Sequence, residues 1–173
     1  FILYIFLIGT AQTMSPIVSV YFKEEDYSGV NYIIKRSLKI VVASSLALSV
    51  LFIVYPQALL FLYSVKNPAD VPVVLNALRI FAISYVGTAI TFLYTFYAQA
   101  IQQNRLSTII SLLEGFVLPI SLAVILAYAI GGNGIWISFA IAEALTILFI
   151  FIYSRYLNKK SSGEYTGFFI NKH

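Results

Sequence analysis

The sequence predicts an all-α membrane protein with five transmembrane helices. Three observations carry that reading. Of 173 residues, 60% are hydrophobic and 10% charged, whereas soluble domains carry about 25% charged residues; the mean hydropathy is +0.89. The apolar runs match the roughly 20 residues that a helix needs to cross hydrocarbon. The basic residues gather in alternate connectors, as the positive-inside bias requires of an odd number of crossings. Strands are excluded because the runs are too long and lack period-two alternation.

The expected spans are about 1–22, 37–63, 73–102, 106–129 and 134–155, joined by short loops and followed by a polar tail over 158–173. The break between the last two spans is the turn IGGNG, Ile130–Gly134. The first span places Gly9, Thr13 and Pro16 on one face with Gln12 and Ser15 beside it, and the second carries Ser37, Ser44, Ser45, Ser49 and Pro56. Small residues of this kind let helices approach closely. The connector KEEDYSGVNYIIKRS reads as solvated, with Asp26 or Ser28 able to cap a short interfacial helix.

Orientation follows from charge. Lys23, Lys35, Arg36 and Lys39 cluster after span one, Arg105 follows span three, and Arg155, Lys159, Lys160 and Lys172 close the chain. Only Lys66 and Arg79 lie on the other side. The loops 23–36 and 103–106 and the tail are therefore expected in the cytoplasm. The tail lysines could also touch anionic lipid. The net charge of +4 needs no nucleic acid to explain it. Cysteine is absent and the one histidine is His173, which excludes disulfides, thiolate metal sites and a Ser-His triad. Phe1 already lies in an apolar run and the single methionine is Met14. No basic segment precedes that run, so it does not read as a signal peptide; the expectation is a piece of a longer membrane protein.

Polar residues inside the spans nominate a site. Ser84, Thr88, Thr91, Thr95, Gln99 and Gln102 fall on one helical face, flanked by Tyr94 and Tyr97. On the next span Ser107, Ser111, Glu114 and Ser121 share a face. Such stripes face other helices or a water-filled cavity. Pro119 removes a backbone hydrogen bond and can kink its helix, freeing carbonyls for a cation or water. Two acids stand near mid-depth: Glu114, about 12 Å into its span, and Glu143, about 14 Å from the end of its own. An ionised carboxyl in hydrocarbon is costly unless paired, protonated or wet. Glu143 and Glu114 are therefore the ion-coupling candidates, for H⁺ or for Na⁺, which prefers oxygen ligands. The competing reading is a protonated Glu bonded to a facing Ser or Thr. Thr88, Thr91, Thr95, Gln99, Tyr94, Tyr97 and Ser111 are the cavity-lining candidates. Arg79 is either a counter-ion or a residue that snorkels to the interface.

The order of motifs resembles the multidrug and toxic compound extrusion (MATE) family. GTAQTMSPIVSVYF (Gly9–Phe22) is similar to the second helix of a lobe, and IIKRSLKIVVASSLAL (Ile33–Leu48) to the entry of the next. The stretch from LRIFAIS to YAQAIQQNRLS (Leu78–Ser107) and GNGIWISFAIAEALT (Gly132–Thr146) resemble the fourth and sixth. The resemblance implies five helices of a six-helix lobe, within a twelve-helix transporter that exports organic, often cationic, compounds in exchange for H⁺ or Na⁺. PIVSVYF and the tail point to the C-terminal lobe, with 1–157 as the partial lobe. It further implies an organic small-molecule substrate, a lipid bilayer and the remaining helices as partners, no cofactor beyond the coupling ion, no enzymatic activity, and a plasma-membrane location. Tyr94, Tyr97 and Tyr85 could hold cations over their rings. Two departures stand out. KEED (Lys23–Asp26) replaces the usual glycine-containing turn, and the family's acidic coupling positions are missing here or filled by Thr and Gln, so the two glutamates rest on burial cost and the resemblance supports only the setting of Glu143. A lipid-linked sugar flippase, or a non-transporting membrane module attached to a cytosolic domain, are the alternatives.

Overall fold

The structure, a computed structural model, describes residues 2–55, 71–160, 165–166 and 169–170. The helices are α1 (Ile2–Lys23), α2 (Tyr27–Val54), α3 (Val71–Ala100), α4 (Asn104–Ile130) and α5 (Gly132–Lys160). All five are long and apolar enough to cross a membrane. In hydrocarbon a helix satisfies every backbone group within its own segment, which is why these runs are helical despite many β-branched residues. The far end of the second expected span, with Pro56, and Lys66 and Lys172 lie outside the described residues.

The connector expected over 23–36 is helical from Tyr27, leaving a turn of three residues, Glu24–Asp26. Glu25 adopts a left-handed φ of 58°, and the Asp26 N–H donates to Tyr21 O at 2.9 Å. The Asp26 carboxylate then caps α2, accepting from the Gly29 N–H at 2.9 Å and the Ser28 hydroxyl at 2.9 Å. Those donors, the Gly29 N–H foremost, hold its pKa below the ordinary carboxylate range. So the cap starts a long spanning helix, and Lys35, Arg36 and Lys39 sit exposed along its first turns.

The core lies between α1, α2 and α3. Leu7, Ala11, Met14 and Val18 form one buried stripe on α1 at steps of four and three. It meets Val30, Ile34 and Val41 of α2 and Tyr85, Ala89, Leu93 and Tyr97 of α3. Ser45 and Ser49 of α2 are buried, as small residues at a helix contact should be. The polar face of α1 behaves otherwise. Gly9, Gln12, Thr13 and Pro16 are exposed, and a methyl at Gly9 would meet no atom within 4 Å. The close packing expected there is not made among the described residues. The Thr13 hydroxyl instead bonds Gly9 O at 2.8 Å.

From α3 to α4 the chain repeats the first turn's geometry: Gln102 has φ 63°, and the Gln103 N–H donates to Ala98 O at 2.8 Å. Within α4 the expected proline kink is a π-helical turn at Leu113–Val117. The Leu118 N–H reaches back to Leu113 O, and Pro119, which has no N–H to give, follows at once. One extra residue per turn absorbs the missing donor and carries Glu114 on the bulge. Gly131, with φ 72°, reverses the chain into α5, which lies against α4 and α3. In the tail, expected as a plain linker, Tyr165–Thr166 pairs antiparallel with Phe169–Ile170.

Candidate functional site

α3 is buried on two opposite faces. One carries Tyr85, Ala89, Leu93 and Tyr97 into the core, and the other carries Ser84, Thr88, Thr91 and Thr95 toward α5. Most hydroxyls of the second face bond their own helix, Ser84 to Phe81 O at 2.8 Å and Thr95 to Thr91 O at 2.9 Å. Thr88 and Thr91 also reach across to α5. The Thr88 hydroxyl donates to Glu143 Oε1 at 2.7 Å, and that of Thr91 to Oε2 at 3.0 Å. Gly87 makes room for this contact, since a Cβ there would sit 2.8 Å from the Glu143 Cβ.

Glu143 and Glu114 open onto one cavity of about 510 Å³ between α3, α4 and α5. Ser84, Thr88, Thr95, Gln99 and Ser111 supply further polar lining, and Phe81, Phe92, Phe96, Phe139 and Pro119 the apolar walls. The two carboxyls are close enough for one charge to act on the other. Among the described residues neither has an ion-pair partner; Arg79 lies exposed and does not line the cavity. Gln99 donates to the Ser107 hydroxyl at 2.9 Å, tying α3 to the start of α4. An ionised carboxyl in hydrocarbon is costly unless it is paired, protonated or wet.

The site differs from the sequence reading at Thr91 and at three tyrosines. Thr91 is fully buried and grips Glu143 instead of lining the cavity. Tyr94 and Tyr97 lie in the core, 1–4% exposed with ring centroids 5.8 Å apart, and Tyr85 is buried with them. The aromatic faces in the cavity are phenylalanines, which the sequence reading did not select. Phe81 packs edge-on against Phe139 at 6.0 Å, and Phe92 lies 5.0 Å from Phe96. Their signal was present: positions 81, 84, 88, 92, 95 and 99 share one helical face, and attention to its polar members alone hid the rings between them.

Five apolar spans, three of which line an acid-bearing cavity, define a multi-pass membrane protein of the transporter class. A family model, MatE, matches residues 1–125, and the chain belongs to that family of membrane transporters. The matched stretch holds α3 and Glu114, while Glu143 lies beyond it. Neither a curated protein nor a solved structure matches the chain.

Proposed function

We propose that the chain forms part of the C-terminal lobe of a secondary transporter that exports organic, often cationic, compounds by antiport with H⁺ or Na⁺. In this reading it sits in the plasma membrane, with the turns at 24–26 and 101–103 and the end of α5 in the cytoplasm. The observation that carries it is the pair Glu143 and Glu114 in one cavity with no basic side chain beside them among the described residues. Such a pair is stable in hydrocarbon only when water, a proton or a cation visits it. The phenylalanine walls suit an apolar or aromatic substrate, and rings attract cations over their faces. Among the described residues no Lys or Arg lines the cavity, and these are the groups that a carrier of phosphate-linked sugars would need.

The test is Glu143→Gln in the full-length protein, reconstituted in liposomes with a fluorescent organic cation and an imposed H⁺ or Na⁺ gradient. Gradient-driven transport is expected to fall to background, and Glu114→Gln to reduce it. Undiminished gradient-driven transport in Glu143→Gln would refute the assignment.

A further inference from the structure

We propose that Thr88 and Thr91, with Gly87 beside them, are positioning residues that let Glu143 take up and release a proton without leaving a buried polar group unsatisfied. The inference rests on the coupling role proposed above for Glu143 and adds how the carboxyl is held in both of its charge states. Each hydroxyl has one hydrogen and at least two places to send it; Thr91 also lies 3.3 Å from Gly87 O and within reach of the Glu114 carboxyl. Thr88 Oγ1 lies 2.7 Å from Glu143 Oε1 and 3.3 Å from Ser84 O. Thr91 Oγ1 lies 3.0 Å from Glu143 Oε2 and 3.1 Å from Thr88 O.

When Glu143 is an anion, both hydrogens turn toward it, one to each oxygen, and the carboxylate keeps two charge-assisted bonds. When one proton arrives from cavity water, the new carboxyl O–H donates to one threonine oxygen. That threonine turns its own hydrogen to the helix carbonyl behind it. One proton enters and none leaves; the hydroxyl hydrogens only rotate. Every buried donor and acceptor of the clamp has a partner in both states, which avoids the penalty of an unmade buried hydrogen bond. Gly87 is required because a side chain there would occupy the place of the Glu143 Cβ. Glu114, on the π turn, is the titratable group that faces Glu143 from α4. From α3, among the described residues, the clamp meets it with hydroxyls alone.

The experiment uses the full-length transporter in liposomes and two readouts. Infrared difference spectra between high and low pH identify the Glu143 carboxyl C=O band by its loss in Glu143→Gln. Thr88→Val with Thr91→Val keeps side-chain shape and removes both hydroxyls; Thr88→Ser with Thr91→Ser keeps the hydroxyls. The valine pair is expected to move the band to higher wavenumber and to slow transport roughly tenfold, the loss typical of a hydrogen bond to a charged group. The serine pair should restore both. An unmoved band overturns the clamp, and so does a valine pair as active as the serine pair where Glu143→Gln abolishes transport. The two readings separate cleanly: a moved band with transport unaffected by Glu143→Gln removes the coupling role and keeps the clamp. Transport lost in Glu143→Gln with an unmoved band in the valine pair does the reverse.

Discussion

α3 and α4 carry the same kind of sequence and meet different fates. Both are apolar spans with a Ser/Thr stripe at helical spacing. Yet 33% of the apolar stretch of α3 is buried, against 6% for that of α4. α3 touches every other spanning helix, whereas α4 is held by its hairpin with α5, its first turns on α3 and the π turn. Its outer face leaves Phe116, Val124, Ile125 and Tyr128 exposed. A polar stripe therefore announces that a face avoids lipid, and the number of neighbouring helices decides how much else is buried with it. The carboxyl of α5 is gripped by the well-packed helix, and the carboxyl of α4 rides on the loosely held one, at the point where the helix is already irregular.

The sharpest way to break this contrast is to cut an apolar side chain from each helix, a buried one from α3 and an exposed one from α4. Leu93→Ala, at a position 1% exposed, should destabilise by about 2–5 kcal/mol in detergent unfolding titrations. Val124→Ala, on the exposed face of α4, should stay within about 0.5 kcal/mol; equal effects would mean that the two helices are equally packed. Glycine gives the next test. Gly87→Ala sets a methyl against Glu143 and should cost about 1–3 kcal/mol by overpacking. Gly115→Ala on the π turn meets no atom within 4 Å and should shift stability by no more than about 1 kcal/mol, toward greater stability, through helix propensity.

Smaller effects belong to the turns. Gln102→Gly, where α3 meets α4, and Glu25→Gly, where α1 meets α2, relieve a left-handed backbone and should each stabilise by about 1 kcal/mol; a loss in either would show that the side chain matters more than the backbone. The smallest effect is the cap on α2. The Asp26 pKa is lowered by folding, so its contribution is complete above the ordinary carboxylate range and fades as pH falls through the lower folded value. Comparing wild type with Asp26→Asn across acid pH should show that dependence only in the wild type.

Some of this was readable from residues alone. The five helices and the depth of Glu143 and Glu114 follow from run length and from the cost of charge in hydrocarbon. The start of α2 differs from the expected one because Lys35 and Arg36 suggest a loop, whereas on a helix entering from water they simply face outward. Apolarity alone does not sort Tyr94 and Tyr97 from Phe92 and Phe96; only the helical spacing from Ser84, Thr88 and Thr95 does. In a soluble helix the apolar side marks the inside, but a membrane helix is apolar on the lipid side and on the core side alike.

The sequence by itself determined that this is a bundle of spanning helices with two acids held at depth, because backbone polarity and bilayer thickness permit little else. Only the tertiary structure decided that Thr88 and Thr91 meet Glu143 across 55 and 52 residues of chain and that the cavity shows phenylalanine where tyrosine was expected. The physical reason is that helix formation is satisfied locally, whereas helix pairing depends on close approach at a few small residues, Gly87 above all.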